Sequence, residues 1–142
     1  MKSTLVLADP YTAFADGSAV VQNNVAGKVV MIGRAVVPSG KHKGKNGFSV
    51  KARAAQKAGA AAVIFVNNDE ANPDTLINMI STGETVTIPV VMVSYNEGHR
   101  RLKNIDPRTM IEFAPGQYAT RAFPEFRRYL RFEMESGILF HF

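Results

Sequence analysis

The chain has 142 residues and a formal net charge of +5, with 46% hydrophobic and 20% charged residues. This length and composition predict one soluble globular domain that buries a core without covalent staples. The chain contains no cysteine, which excludes a disulfide framework, a thiolate metal site and a cysteine nucleophile, and favours a reducing intracellular compartment over secretion.

The first strand is predicted close to the N-terminus. Leu5 to Ala8 form an apolar run that ends at Asp9-Pro10. This run is shorter than the apolar region of an export signal, so it predicts a strand. No run of about 20 apolar residues occurs, and a membrane span is therefore not predicted. Asp16-Gly17-Ser18 predicts a turn, and Val20-Val21 a short strand.

A helix between two strands is the centre of the predicted fold. The continuous apolar run within Lys28–Arg34 predicts a strand that is covered on both faces. The Ala-rich segment Phe48–Ala58 predicts a helix that stops at Gly59. Ala61–Val66 then predicts a central strand. On the helix, the residues expected to face the sheet are Phe48, Ala52, Ala55 and Gly59, and those expected to face water are Lys51, Arg53 and Lys57.

The next elements contain a proline and a helix-start signal. Thr85–Val93 predicts a strand, and Pro89 places it at a sheet edge or gives it an irregular start, because proline cannot donate to the ladder. Ser94 to Glu97 has the pattern of a capping box, which predicts a second helix over Tyr95–Lys103. Thr109–Phe113 predicts a further strand.

Five of these segments, in this order, resemble the protease-associated (PA) domain family. They are Val29–Arg34, Phe48–Lys51, Ala55–Ala60, Val63–Asn68 and Ile88–Ser94. The resemblance implies an α/β fold of the α+β type, a PA-like β-barrel or sandwich with two flanking helices. It also implies a non-catalytic module that mediates protein contacts, substrate access or oligomerisation.

The chain departs from the family pattern in two places. Arg34-Ala35 stands where the family often has Arg-Gly followed by a cysteine, and a basic insertion, Pro38–Asn46, precedes the helix. The PA-like domain is predicted over residues 1–117. Residues 118–142 form a C-terminal extension rich in aromatic residues, which predicts either a hairpin on its own core or a tail that docks on a partner.

Three contact surfaces are predicted, and they are named below as the basic loop, the edge strand and the tail. Between Asp16 and Asp69 the chain has eight Lys or Arg residues and no acidic residue, so an acidic partner is expected. The edge strand is expected to accept a peptide by strand addition. The basic loop comprises Lys41, His42, Lys43 and Lys45; the edge strand Ile88, Val90 and Met92; and the tail Phe132, Ile138, Leu139, Phe140 and Phe142.

Motifs for catalysis and for cofactors are incomplete. Gly40 to Asn46 resembles a phosphate-binding loop, but three residues separate its glycines, and Asn46 stands where such loops have Ser or Thr. The three histidines are too far apart to form a local metal-ligand pair, and the Asp69-Glu70 pair lacks the spacing of a calcium loop. The sequence therefore predicts no catalytic residues, no metal site and no cofactor.

The sequence thus favours a non-catalytic protein–protein interaction module, a small structural or accessory subunit of a larger assembly. Two alternatives stay open. One is a basic nucleic-acid or ribonucleoprotein-associated protein, suggested by the computed pI of about 9.7 and the arginines among the aromatic residues of the C-terminal extension. The other is a regulatory partner of a peptidase that is a separate chain.

Overall fold

A computed structural model describes residues 1–35, 47–77, 79 and 85–113, and the backbone of residues 114–115, 121–122 and 129–134. Its main feature is a seven-stranded mixed sheet with the order β6-β5-β4-β1-β7-β9-β8. The strands are β1 Lys2–Leu7, β2 Phe14–Ala15, β3 Ser18–Ala19, β4 Val29–Gly33, β5 Ala62–Val66, β6 Val90–Val93, β7 Met110–Pro115, β8 Arg121–Ala122 and β9 Tyr129–Met134.

The sheet has a parallel half and a mixed half. Strands β1, β4, β5 and β6 are parallel to one another. Strand β7 is antiparallel to β1, β9 is parallel to β7, and β8 is antiparallel to β9. A separate hairpin joins β2 to β3. The Asp16-Gly17 turn of this hairpin has φ values of 52° and 81°, and two consecutive positive values are typical of a two-residue hairpin turn.

Two helical segments pack against the parallel half of the sheet. Helix α1 is Phe48–Lys57, and Gly59 follows it with a φ of +89°. The second helical segment combines a π-helical turn, Glu97–Arg101, with a 3-10 turn, Leu102–Asn104. Ser94 accepts a hydrogen bond at its hydroxyl from the Glu97 N–H, over 3.1 Å, so the serine half of the predicted capping box is present.

The core lies on both faces of β4 and β5, because successive residues of a strand point to opposite faces. Val29 and Met31 of β4 join a cluster that includes Leu102 of the second helical segment. Val30 and Ile32 join a second cluster that includes Ala52 and Ala55 of α1. All five residues of β4 and all five of β5 are buried, as the continuous apolar runs predict.

The mixed sheet with two short helical segments confirms the predicted α+β class. A barrel or sandwich with two flanking helices stays a prediction. Strand β6 begins only at Val90, because the N–H groups of Thr87 and Ile88 are turned toward the side chain of Gln56 on α1. The expectation that Lys51 faces water is wrong, since this residue is 2% exposed.

Candidate binding surfaces

The carboxyl ends of the parallel strands bring together polar residues that are far apart in sequence. Tyr11 follows β1, Arg34 follows β4, Asn67 follows β5 and Asn96 follows β6. We call these four residues together with His99 the carboxyl-edge cluster. In open sheets of parallel strands, ligands bind in the crevice outside the carboxyl ends of the strands. The cluster therefore lies where this topology favours a binding site.

Asn67 organises one side of the carboxyl-edge cluster. Its amide oxygen accepts hydrogen bonds from Arg34 Nη1 and from the Asn68 N–H, each over 3.0 Å. Its Nδ2 donates to the Thr75 carbonyl over 3.1 Å. The Arg34 N–H donates to the Val66 carbonyl over 2.9 Å, so β4 and β5 stay paired up to this point. Arg34 is thus held at both its main chain and its guanidinium.

An aromatic group forms the other side of the cluster. The His99 ring stacks on Tyr95, with 4.3 Å between the ring centroids, and meets the edge of Tyr11 at 6.1 Å. Burial, reinforced by Tyr95, raises the pKa of Tyr11 to about 12. Burial and the Lys103 charge lower the pKa of His99, although Glu70 opposes them. At neutral pH these side chains therefore contribute neutral donors and acceptors.

Two buried polar atoms of the cluster have no hydrogen-bond partner in the described part of the chain. They are the Tyr11 hydroxyl and the amide oxygen of Asn96. The Asn96 Nδ2 is already engaged, since it donates to the Asp74 carboxylate over 2.7 Å. A buried polar group without a partner is costly, so these two atoms favour a polar ligand group or an ordered water beside them.

Comparison with known families finds a match over more than half of the chain. The family model of the PA domain matches residues 1–100 of the chain. The chain belongs to the PA domain family. A curated relative, Signal peptide peptidase-like 5 of Arabidopsis thaliana, is 31% identical over 70 residues. That match covers 49% of this chain and 13% of the relative, so the PA domain described here spans a small part of that protein. No solved structure gives a significant match.

The basic loop of this PA domain lies outside the described residues, so Lys41, His42, Lys43 and Lys45 stay predicted contacts. The described ends of that segment are informative. Strand β4 ends at Gly33, Arg34 of the carboxyl-edge cluster follows it, and Gly47 lies immediately before α1. The chain therefore enters the basic loop from the carboxyl edge of the sheet.

Within the described residues, the predicted edge strand forms one end of the sheet as β6. The Pro89 and Val93 carbonyls accept from Val63 and Asn67 of the β5 side, so the alternating main-chain groups of Val90 and Met92 point away from β5. These two residues, main chain included, are only 2% and 8% exposed, and Ile88 is half-buried. Strand addition at β6 stays a prediction, and it requires neighbouring chain to move aside.

The predicted tail is described only in part. The backbone of residues 129–134, which includes Phe132, forms β9 and pairs with β7 in the same sheet. The side chain of Phe132, and Ile138, Leu139, Phe140 and Phe142 altogether, lie outside the described residues. Their contact with a partner stays a prediction, as does the domain boundary after residue 117.

The described residues contain neither a candidate metal site nor a candidate membrane span. No three His, Asp or Glu side chains there are close enough together to hold a metal ion. None of the helices in the same residues has the length and apolar character that crossing a bilayer requires.

Lys51 of α1 is buried, although the sequence analysis expects it to face water. It is 2% exposed, and burial lowers its pKa to about 8. Periodicity does contain the signal, because Lys51 follows Phe48 by three residues and precedes Ala55 by four, which places all three on one helix face. An amine with a pKa near 8 is partly uncharged in mildly alkaline solution.

Proposed function

We propose that this PA domain is a non-catalytic protein–protein interaction module and a small structural or accessory subunit of a larger assembly. Membership of the family supports an accessory role. The absence of cysteine from the chain supports a location of the protein in a reducing intracellular compartment. In this proposal the basic loop contacts an acidic surface of the partner protein.

The observation that carries the proposal is the anchoring of Arg34 at the entry to the basic loop. Its guanidinium donates to Asn67 and its N–H donates to Val66, so the loop leaves from a fixed point of the sheet. Guanidinium has five N–H donors, and the described contacts of Arg34 use one of them. The lysines that follow extend this positive charge and steer an acidic partner toward the carboxyl edge.

The test begins with the native protein, isolated gently by size-exclusion chromatography, with mass spectrometry of whatever elutes with it. The partner found is then titrated with the chain carrying Lys41→Gln, Lys43→Gln and Lys45→Gln. We expect weaker binding and a smaller dependence on salt, since exposed charges are screened within about 10 Å at 0.1 M salt.

A matched control removes three charges elsewhere, at the exposed residues Arg100, Arg101 and Arg108, each replaced by Gln. This control should bind as the unchanged chain does. Unchanged affinity of the lysine variant at low salt would refute the basic-loop contact. Elution as a 15.5 kDa monomer without companions would argue against the subunit role.

A second candidate function is regulation of a peptidase that is a separate chain. The observation that favours it is the relative from Arabidopsis thaliana, whose name describes a peptidase and which aligns with this domain over 70 residues. Protease activity that co-purifies with the native protein, and that changes when the domain is removed, would support this function. Binding to RNA or DNA with an affinity that falls steeply with salt would instead favour the nucleic-acid alternative.

A further inference from the structure

A groove of about 560 Å³ lies between α1 and the β2–β3 hairpin, and its lining includes none of the residues of the three predicted surfaces. Its hairpin wall is formed by residues 17–21, and its helix wall by Val50, Arg53, Ala54, Lys57 and Ala58. The volume lies within the range of about 300 to 1,000 Å³ that ligand sites occupy. Small alanines on the helix wall leave the space open, and the neighbouring valines make it apolar.

Two cations stand on the helix wall of this groove. Arg53 and Lys57 are four residues apart, so they project from the same side of α1. Arg53 Nη1 donates to the Thr85 carbonyl over 3.1 Å, which holds the guanidinium in place. Across the described ranges neither cation forms an ion pair with a carboxylate. Among the described residues the groove therefore combines an apolar lining with two cations that have no carboxylate partner, and this combination is complementary to an acidic ligand with apolar side chains.

The hairpin wall presents main-chain groups. The Val20 N–H donates to the Ala13 carbonyl over 2.9 Å, so the main-chain N–H and C=O groups of Val20 point toward the β2 side of the hairpin. Alternation along the strand then directs the N–H and C=O groups of Ala19 and Val21 away from β2. Both residues line the groove. An extended peptide can pair with such groups, whereas a compact small molecule uses them poorly.

The spacing of the two cations sets the spacing of the ligand charges. Four residues of helix rise about 6 Å, and alternate residues of an extended peptide are about 6.6 Å apart. We propose that this groove binds an extended segment of a partner protein whose acidic side chains, at alternate positions, face Arg53 and Lys57. This inference rests on the proposed function as an interaction module, and it assigns a second contact separate from the basic loop.

The experiment is a titration of the full-length ¹⁵N-labelled chain, followed by NMR, with the peptide acetyl-Val-Glu-Val-Glu-Val-amide. We expect shifts of the amide signals of Ala19, Val21, Ala54 and Lys57. Two further peptides control for charge and spacing: acetyl-Val-Gln-Val-Gln-Val-amide has no charge, and acetyl-Val-Glu-Glu-Val-Val-amide has the same composition with adjacent acids. Both should bind more weakly than the first peptide.

Variants then test the residues. The chain carrying Arg53→Gln with Lys57→Gln should bind the acidic peptide about fivefold more weakly, since each exposed charge pair contributes modestly. Arg100→Gln with Arg101→Gln changes the net charge equally and should bind normally. Ala54→Leu should fill the groove and block binding while leaving the charge unchanged. The circular dichroism of each variant reports whether it is folded.

Three results would overturn the proposal: no shift at millimolar peptide, shifts confined to other surfaces, or equal affinity of the Arg53 and Lys57 variant. The variant of Lys41, Lys43 and Lys45 separates this proposal from the basic-loop contact. If that variant loses the native partner but still binds the acidic peptide in the groove, the two contacts are independent. If the groove variants bind the native partner normally while the loop variant does not, the groove proposal is refuted and the basic-loop contact stands.

Discussion

Lys51 places an amine inside the domain, on the face of α1 that packs toward the sheet. The whole Lys51 residue is 2% exposed, and burial lowers the pKa of its amine from 10.5 to about 8. Removing an ammonium group from water is unfavourable unless a partner compensates for the lost hydration. The charged form of Lys51 therefore weakens the fold at neutral pH.

This burial predicts how stability changes with pH. Between about pH 8 and pH 10.5 the unfolded chain holds a proton on Lys51 that the folded chain has released. The Lys51 contribution to the free energy of unfolding therefore rises with pH across this window, and below it the full penalty applies. Lys51→Met should remove the rise and increase the free energy of unfolding at pH 7 by about 1 to 2 kcal/mol.

Urea unfolding at several pH values from 7 to 10.5 measures this effect. The matched control is Lys57→Met, which changes an exposed amine of the same helix and should leave the rise in place. A rise of the same size in the Lys51 variant would show that another group causes it.

At the residue scale, the sequence predicts which residues share a face of α1 better than it predicts which of them are buried. The 3.6-residue period puts Ala52 and Ala55 on the buried face, and both are fully buried. The same period puts Lys51 on that face, but its charge led to the expectation that its side chain is exposed to water. Burial of a single amine depends on what packs over one turn of helix, and that information lies in distant parts of the chain.

Between elements, the side chain of Gln56 connects α1 to the segment that enters β6. Its Oε1 accepts from the Thr87 N–H over 2.8 Å and from the Ile88 N–H over 3.3 Å. The Thr87 hydroxyl lies 3.3 Å from the same oxygen. One side-chain oxygen thus replaces the sheet partner that these two residues would otherwise need.

Gln56→Ala should therefore lower the free energy of unfolding by about 1 to 2 kcal/mol, because it leaves main-chain donors without their acceptor. We expect faster hydrogen exchange at the Thr87 and Ile88 amides, with little change inside β5. Gln56→Glu keeps the acceptor oxygens and should preserve slow exchange at both amides. Equal exchange rates in the Ala variant and the unchanged chain would contradict this role of Gln56.

The strands show which elements a local pattern can predict. The apolar runs of β4 and β5 are recognisable because both faces of these strands are covered. The predicted strand Thr85–Val93 is longer than the observed strand β6. The Thr87 N–H donates to Gln56, 31 residues away, and this bond turns the first part of the segment away from the sheet. A contact at that sequence distance leaves no trace in the local pattern.

At the scale of the whole molecule, topology brings the candidate site together. Tyr11, Arg34, Asn67 and Asn96 each follow a different strand, and only the parallel order of those strands makes them neighbours. The family resemblance predicts the order of these segments along the chain, but the parallel pairing of the strands and hydrogen-bond partners such as Arg34 and Asn67 require the structure. The groove beside α1 was not predicted, because it is formed by a hairpin and a helix about 30 residues apart in the chain.

The C-terminal extension provides the test at this scale. The backbone of β9 pairs with β7 at six positions, from Met110 with Tyr129 to Pro115 with Met134. Removing residues 118–142 leaves the β7 edge unpaired, and an unpaired edge loses hydrogen bonds and attracts other chains. The chain 1–117 should therefore fold with a free energy of unfolding lower by about 3 kcal/mol or more, and it should self-associate.

Urea unfolding and size-exclusion chromatography at matched concentration measure both effects. A chain that ends at Met134 keeps β8 and β9 and is the control, which we expect to be monomeric and nearly as stable as the full chain. If the chain 1–117 is as stable as the full chain and stays monomeric, the extension adds nothing to its own domain. Its aromatic residues would then be available to a partner, as the docking-tail alternative requires.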